Sequence, residues 1–411
     1  MSAVAAPGLP YARGEILRDT ADDVAKLRLA WREVALHRRA GTLFDLTGLT
    51  RSLDAGATPA DELDDELAPA LHGERLRELG LAHLGGDPER DDVFVANRLT
   101  AAVVAAMQVL VRPGSTVVGV SAGYSHPCIG RAVRLAGGEL VDAVGLEEAR
   151  AALAAAGDLS AVVLTRLAVT YEALPDEELA PVVEAARERG APVFVDDAGG
   201  ARVGPAVLGQ PRTLELGAEV GATGLDKYGT TGPRLGLLAG RRELVARIRA
   251  RATELGLEAR PMLWPAVVQS LEAYREERVR ELVAATHELG DALEARLGAR
   301  VTRTPVAVKL EGDDVLGEAV ARAGLDEPPC VPVEATAALA MVLLRDHGVL
   351  TVHFAALPPG TAALLLKFLP PETLARFGGA GRLAAAVDAS LDEVARVLRH
   401  PAELRTLLGR G

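Results

Sequence analysis

Apolar positions along the middle of the chain have two textures. Short unbroken runs, "STVVGVSA", "GGELVDAV", "LSAVVLT", "APVFVDD" and "LGLLAG", read as strands, and continuous runs such as "AVVLT" fit burial on both faces. Between them lie segments of helical period, such as "DEELAPVVEAARERG", with Gly190 placed as a stop. Strands alternating with helices predict a mostly parallel sheet covered on both sides. The N-terminal part is different. "DDVAKLRLAWREVALHRRA" is helical with a charged face, "LFDLTGLTRSL" breaks at Gly48, and a second helix follows. Beyond Pro265 the texture changes again. "AVVQSLEAYREERVRELVAATHELGDALEARLG" predicts one long amphipathic helix, "RVTRTPVAVKLEG" and "GVLTVHFAAL" a strand each, and "RLAAAVDASLDEVARVLRHPAEL" a closing helix. The expected division is an N-terminal helical segment over 1–83, a large domain over 84–265 and a smaller C-terminal α/β domain over 266–411. No internal repeat, low-complexity tract or long linker interrupts it.

Composition narrows the class. The chain has 411 residues, is 49% hydrophobic and only 3% aromatic, so its core is aliphatic. A net charge of −12 argues against a nucleic-acid or anionic-membrane partner, since both need a positive field. Two cysteines, Cys128 and Cys330, make neither a disulfide framework nor a metal cluster, and a reducing cytoplasm is the expected compartment. The opening "MSAVAAPGLPYARGEILRD" lacks the charged and apolar regions of a signal peptide, and no apolar run is long enough for a membrane span.

One stretch carries chemistry. "ATGLDKYGTTGPRLGLLAG" sets a lone lysine, Lys227, in a glycine-rich turn before an apolar strand. An arbitrary lysine in a turn is a solvated one, but a lysine in a dry pocket forms a Schiff base with a carbonyl. Upstream, Asp196 and Asp197 follow "APVFV" at the carboxyl edge of a buried strand, where open α/β sheets bind ligands. A carboxylate at one strand end and an amine after the next suit pyridoxal phosphate (PLP). The carboxylate keeps the ring nitrogen protonated and the amine holds the cofactor. Of the two aspartates only one can face the ring, because neighbours on a strand point to opposite faces.

"VDDAGGARVGP…DKYGTTGPRLGLLAG" resembles fold-type I PLP enzymes, and among them bacterial selenocysteine synthase and its shorter archaeal PLP-dependent relatives. The landmarks cover roughly residues 45–240. The resemblance implies a seven-stranded, mostly parallel sheet in the large domain, and a homodimer with sites at the interface. It gives Asp196 the ring nitrogen, Ala198 one ring face and Lys227 the Schiff base. Many members carry His at the next position, where this chain has Gly199. "ANRLTAAVVAA" matches the phosphate site: Asn97, Arg98, Leu99 and Thr100 open a helix whose free N–H groups attract an anion, although Asn97 is equally an ordinary N-cap. In "SAGYSHPCIGRA" His126, or else Tyr124, stacks on the other ring face. His126 can instead cap the helix at Pro127, and Cys128 reads as a small buried hydrophobe. Thr165 and Arg166 end a strand where the cofactor's phenolic oxygen or a substrate acid is met, unless Arg166 pairs with Glu172 at the surface. Thr231 and Arg234 reach a partner's phosphate or the substrate, or else Thr230–Gly232 is simply a turn.

There is one departure from the family pattern. Transaminases of this fold clamp the substrate carboxylate with a small-domain arginine, and here "PPGTAALLLKFLPP" offers Lys367, which lacks the bidentate fork. Arg260 and Arg202 are the substitutes in view, beside Arg166 and Arg234. The leading expectation is a cytoplasmic PLP-dependent transferase or lyase, acting by β-elimination or β-replacement on a small amino-acid-like substrate. An aminotransferase, aldolase or racemase and a non-catalytic PLP-binding regulator are the alternatives. Synthesis on a tRNA conflicts with the charge of −12, and a Rossmann enzyme would need a Gly-X-Gly-X-X-Gly turn that is missing.

Overall fold

The computed structural model describes residues 9–53, 58–354 and 357–410. Contacts group the chain into two units, Thr50–Arg280 and Met1–Leu49 with Glu281–Gly411. The sequence reading expected three consecutive segments instead, 1–83, 84–265 and 266–411. The difference lies in the N-terminal stretch, which divides near residue 50 and contributes to both units.

In Thr50–Arg280 seven strands form one sheet: β1 (Asp91–Ala96), β2 (Thr116–Ser121), β3 (Glu139–Val144), β4 (Leu159–Leu164), β5 (Val193–Asp196), β6 (Val220–Gly224) and β7 (Gly236–Arg241). Their spatial order is β1-β7-β6-β5-β4-β2-β3. Pairing is parallel from β6 across to β3, and β7 runs antiparallel to both β6 and β1. The helices are α1 (Leu67–Leu84), α2 (Leu99–Leu110), α3 (Pro127–Leu135), α4 (Gly145–Ala155), α5 (Asp176–Glu188), α6 (Arg242–Glu254) and α7 (Trp264–Glu272). Alternation along the strands assigns the faces. Val117, Val163, Phe194 and Ala222 pack under α2, α3 and α6, while Val118, Val162, Leu164 and Val195 pack under α4 and α5. Burying each such large apolar side chain contributes about 1.5–3 kcal/mol, which is why β2, β4, β5 and β6 carry no charged residue before their carboxyl ends.

Three expected elements are built differently. The long helix beyond Pro265 breaks at residues 273–275 between α7 and a helix over Glu276–Leu297, and Tyr274 in the break sets its ring 4.8 Å from that of His83. "RVTRTPVAVKLEG" is a hairpin of two strands, Val301–Arg303 and Ala307–Leu310, closed by the Thr304 N–H on the Ala307 carbonyl. "GVLTVHFAAL" forms a two-residue strand, Val349–Leu350, and a turn over Val352–Phe354; Ala355 and Ala356 lie outside the described residues. No helix of the described residues is long and apolar enough to cross a membrane.

The second unit joins the N-terminal helix Thr20–Ala40 to helix Pro332–His347 and to a three-stranded antiparallel sheet of Val301–Arg303, Ala307–Leu310 and Leu364–Lys367. Buried polar groups tie the N-terminus in. The Glu334 carboxylate accepts from the N–H groups of Ile16 and Leu17 at 2.7 and 2.8 Å. Asp23 accepts two bonds from Arg13. Lys26 stands 3.0 Å from His353 Nε2, and burial brings its amine down to about 8. Replacing Glu334 with Ala leaves two buried N–H groups without an acceptor and is expected to cost about 1–3 kcal/mol in urea unfolding, with Glu334→Gln losing less because an oxygen remains.

Candidate active site

The alternation that sorts the core also separates the two aspartates at the end of β5. Asp196 pairs in register with Ala222 and shares the face of Phe194 and Cys128. Asp197 turns to the other face. There its carboxylate accepts from Arg166 Nε and Nη2 at 2.9 and 2.6 Å and from Thr213 Oγ1 at 2.7 Å. Arg166 is fully buried and also donates to the Pro211 carbonyl. This corrects the expectation for Arg166. Its fork is filled by Asp197 and a backbone carbonyl, leaving it for neither a cofactor oxygen nor a substrate acid, and it is not a surface arginine either.

Asp196 is buried, and its Oδ1 has no hydrogen-bond partner among the described residues. Burial first, and then the neighbouring Asp197 charge, push its carboxyl up to about 7, against the pull of Lys227 and the Ala198 N–H. Lys227 stands in the turn after β6. Its amine is 3.3 Å from Asp226 Oδ1, and its side chain is 19% exposed. Arg234 Nε approaches the other oxygen of Asp226 at 3.0 Å. Burial raises the Asp226 carboxyl, but the two cations outweigh it and hold it below its ordinary value. Thr230 makes the turn: its hydroxyl accepts from the Lys227 N–H and sits 2.7 Å from the Leu225 and Lys227 carbonyls. The Thr231 N–H donates to Ser270, and its side chain is exposed.

Around this pair lie the other expected residues. Arg98, not Asn97, holds the cap position of α2, and no side chain caps the helix. Its first turn, at Leu99 and Thr100, opens where Asn97, Arg98 and Thr100 are exposed. β7 starts against it. A Cβ on Gly236 would come 2.8 Å from the backbone of Arg98 and Leu99, so only glycine permits that approach. His126 Nδ1 accepts from the Cys128 N–H and caps α3. Burial, then Lys227 and Arg131, take its imidazole down to about 4, so the ring is neutral. Burial and the Asp196 charge raise the Cys128 thiol, keeping it inert. Thr165 is buried at the end of β4 with no partner for its hydroxyl among the described residues.

Arg260 is corrected as well. It is 71% exposed and held by Asp65, with Nε 2.7 Å from Oδ2. Arg202 is buried and bonds Thr223 on the Asp197 side of the sheet. Lys367 donates to the Thr47 carbonyl inside the second unit. Sequence reasoning missed Asp226, Tyr171 and Tyr228. One signal was available: Asp226 and Tyr228 directly flank Lys227 in the sequence.

The fold of this chain is shared by solved aminotransferases. Pyridoxamine-pyruvate aminotransferase of Mesorhizobium loti matches with a TM-score of 0.61 at 13% identity, over 89% of this chain and 96% of that one. Aspartate aminotransferase of Thermotoga maritima matches at 0.58 and 17%, over 89% and 97%. These likenesses show the fold, that of fold-type I PLP enzymes. In sequence the chain is 32% identical over 354 residues to a UPF0425 pyridoxal phosphate-dependent protein of Methanothermobacter thermautotrophicus, covering 85% of this chain and 88% of that protein. It is 30% identical over 319 residues to the UPF0425 protein of Methanosphaera stadtmanae, covering 77% and 80%. The chain belongs to the UPF0425 pyridoxal phosphate-dependent protein family, and its cofactor is pyridoxal phosphate. No family model matches it. The residues fit that group: an unpartnered buried carboxyl oxygen suits a protonated ring nitrogen, a nearby amine suits the aldehyde, and a helix start without a side-chain cap suits the phosphate.

The two aspartates predict opposite behaviour. Removing either partner of the buried Arg166–Asp197 pair, by Arg166→Met or Asp197→Asn, is expected to cost about 3–5 kcal/mol in urea unfolding. Asp196 binds its proton more tightly in the folded chain, with a carboxyl raised from 3.8 to about 7, so the folded state loses stability as pH rises through that window. Asp196→Asn removes this loss. In the cofactor-free protein its melting temperature should climb relative to the parent between about pH 4 and about pH 8.

Proposed function

We propose that the protein is a PLP-dependent enzyme acting on an amino-acid-like substrate by β-elimination or β-replacement, in the manner of the selenocysteine-synthase-like group. The observation that supports an enzyme is Asp196: a carboxyl group held buried, with an unpartnered oxygen, on the face that Lys227 approaches. An ion at that oxygen is worth far more in a dry site than in water. When bound, the cofactor withdraws electrons from the α-carbon of the substrate. Asp196 would keep the ring nitrogen protonated. Lys227 would hold the cofactor and then carry on its Nζ the proton taken from the α-carbon. The α2 N-terminus, with Asn97, Arg98, Leu99 and Thr100, would hold the phosphate. Ala198 and His126 would border the ring, and Thr165 would meet its phenolic oxygen.

The substrate acid would fall to Arg234. Arg166 is filled by Asp197, Arg260 is held out by Asp65, and Lys367 is bonded to Thr47. Arg234 instead shares Asp226 with Lys227. Transamination is the second reading, favoured by the aminotransferases that share the fold, and it would use the same Lys227 and Asp196. The partner we propose is a second copy of the chain, with Thr231 and Arg234 serving its site. The charge of −12 speaks against nucleic acid.

Three measurements test this. Borohydride reduction of the loaded protein should place the pyridoxyl mass on the Lys227 peptide, and label on another lysine would end the proposal. Amino acids carrying a β-leaving group should release it with the parent protein and not with Asp196→Asn. Transfer of the amino group to a keto acid without such release would favour the second reading. Mixing inactive Lys227→Ala and Arg234→Ala chains should restore part of the activity if sites are shared, and no recovery after verified subunit exchange would assign Arg234 to its own chain.

A further inference from the structure

Tyr171 and Tyr228 have no part in the chemistry above, yet the structure is built to hold them together. Their hydroxyls are 2.5 Å apart and their rings meet edge to face at 6.5 Å. Three non-glycine residues among those described have positive φ, and these two, at 73° and 43°, are two of the three. For tyrosine that region is unfavourable, because Cβ crowds the backbone carbonyl, so it persists only where neighbours enforce it. Tyr171 is enforced by a turn in which its N–H donates to the Ala168 carbonyl and Ala168 N–H to the Glu172 carbonyl. Tyr228 follows Lys227 directly, and its ring lies against Gly199, where a Cβ would be 2.4 Å from Tyr228 Cε2. Burial raises both phenols, so both stay neutral and one donates to the other.

We infer that Tyr171 is a positioning residue acting through Tyr228: the hydroxyl bond locks the strained turn after Lys227 and so fixes where the lysine amine stands. This rests on the reading of Lys227 as the cofactor lysine. The backbone of Tyr228 sets the path by which the chain leaves Lys227, and Thr230, two residues on, returns to bond the Lys227 N–H. A turn that leaves its strained form therefore changes the backbone from which Lys227 reaches Asp226. The energy that holds it comes from a residue far away in sequence, on the loop after β4.

The test reads the amine itself. The full-length protein is stripped of cofactor and acetylated competitively over a range of pH, and mass spectrometry of the lysine peptides reports the reactivity of each amine. Lys26, Lys309 and Lys367 are buried and serve as internal controls. In Tyr171→Phe, Tyr228→Phe and the double variant the reactivity of Lys227 is expected to rise about threefold or more. The controls should stay unchanged. The three variants should behave alike, since each removes the same bond. The double variant leaves no hydroxyl stranded and guards against misfolding of the single ones. A Lys227 profile unchanged in the double variant, with a native melting curve, overturns the inference. Borohydride labelling of the loaded variants separates the two ideas, because label on another lysine sinks the cofactor reading while the acetylation profile still judges the tyrosine pair.

Discussion

Neighbouring residues on a strand face opposite sides of the sheet, and at the end of β5 that alternation divides two adjacent carboxyl groups between two environments. Asp197 receives a guanidinium fork and a hydroxyl, all buried. Asp196 receives nothing for its Oδ1 from the described residues and keeps a proton up to about pH 7. The first arrangement is structural and the second is an incomplete site. A slip of one residue in the β5–β6 register would exchange them, and the hydrophobic pattern forbids it. Phe194 and Val195 would then exchange faces as well, and each is packed with no solvent exposure. The core therefore fixes which carboxylate keeps an oxygen without a partner among the described residues.

The charges beyond β6 are balanced by the same economy. A single buried carboxylate, Asp226, lies between Lys227 and Arg234. One anion between two cations leaves a net positive field at the Lys227 turn, and His126, neutral and engaged in capping α3, does not add to it. Opposite charge at short range favours the ionised form, so an anion entering near Lys227 and Arg234 would meet attraction that Asp226 alone does not cancel.

Much of this was legible in the sequence. Apolar runs alternating with helical segments give the parallel sheet, and the turn around Lys227 with the strand-end aspartates gives the cofactor. What was not legible depends on pairing across distance. Arg166 sits at a strand end, as an oxygen ligand would, and only the fold reveals that Asp197, 31 positions away, claims it. Arg260 reads as a clamp until Asp65 is seen beside it. The N-terminal stretch reads as one segment because nothing local reports that Glu334 captures the backbone at Ile16 and Leu17, more than 300 positions earlier. Tyr171 and Tyr228 are 57 positions apart, and neither the turn nor the loop announces the other.

Gly199 brings these levels together. Read alone, it is a departure from a family in which histidine is common at that position. In the fold it is the condition for a different arrangement, since any side chain there would collide with the ring of Tyr228. Tyr228 in turn holds a backbone conformation that costs about 1–3 kcal/mol, and the pairing with Tyr171 and the fit against Gly199 offset that cost. The missing side chain and the strained tyrosine are thus one structural choice: the space vacated at the β5 edge is filled from the lysine turn. Such coupling makes the surroundings of Lys227 stiffer than a glycine-rich sequence would imply. The Schiff-base role we propose for Lys227 needs that stiffness, because the angle at which its amine is presented would decide the geometry of every bond made there.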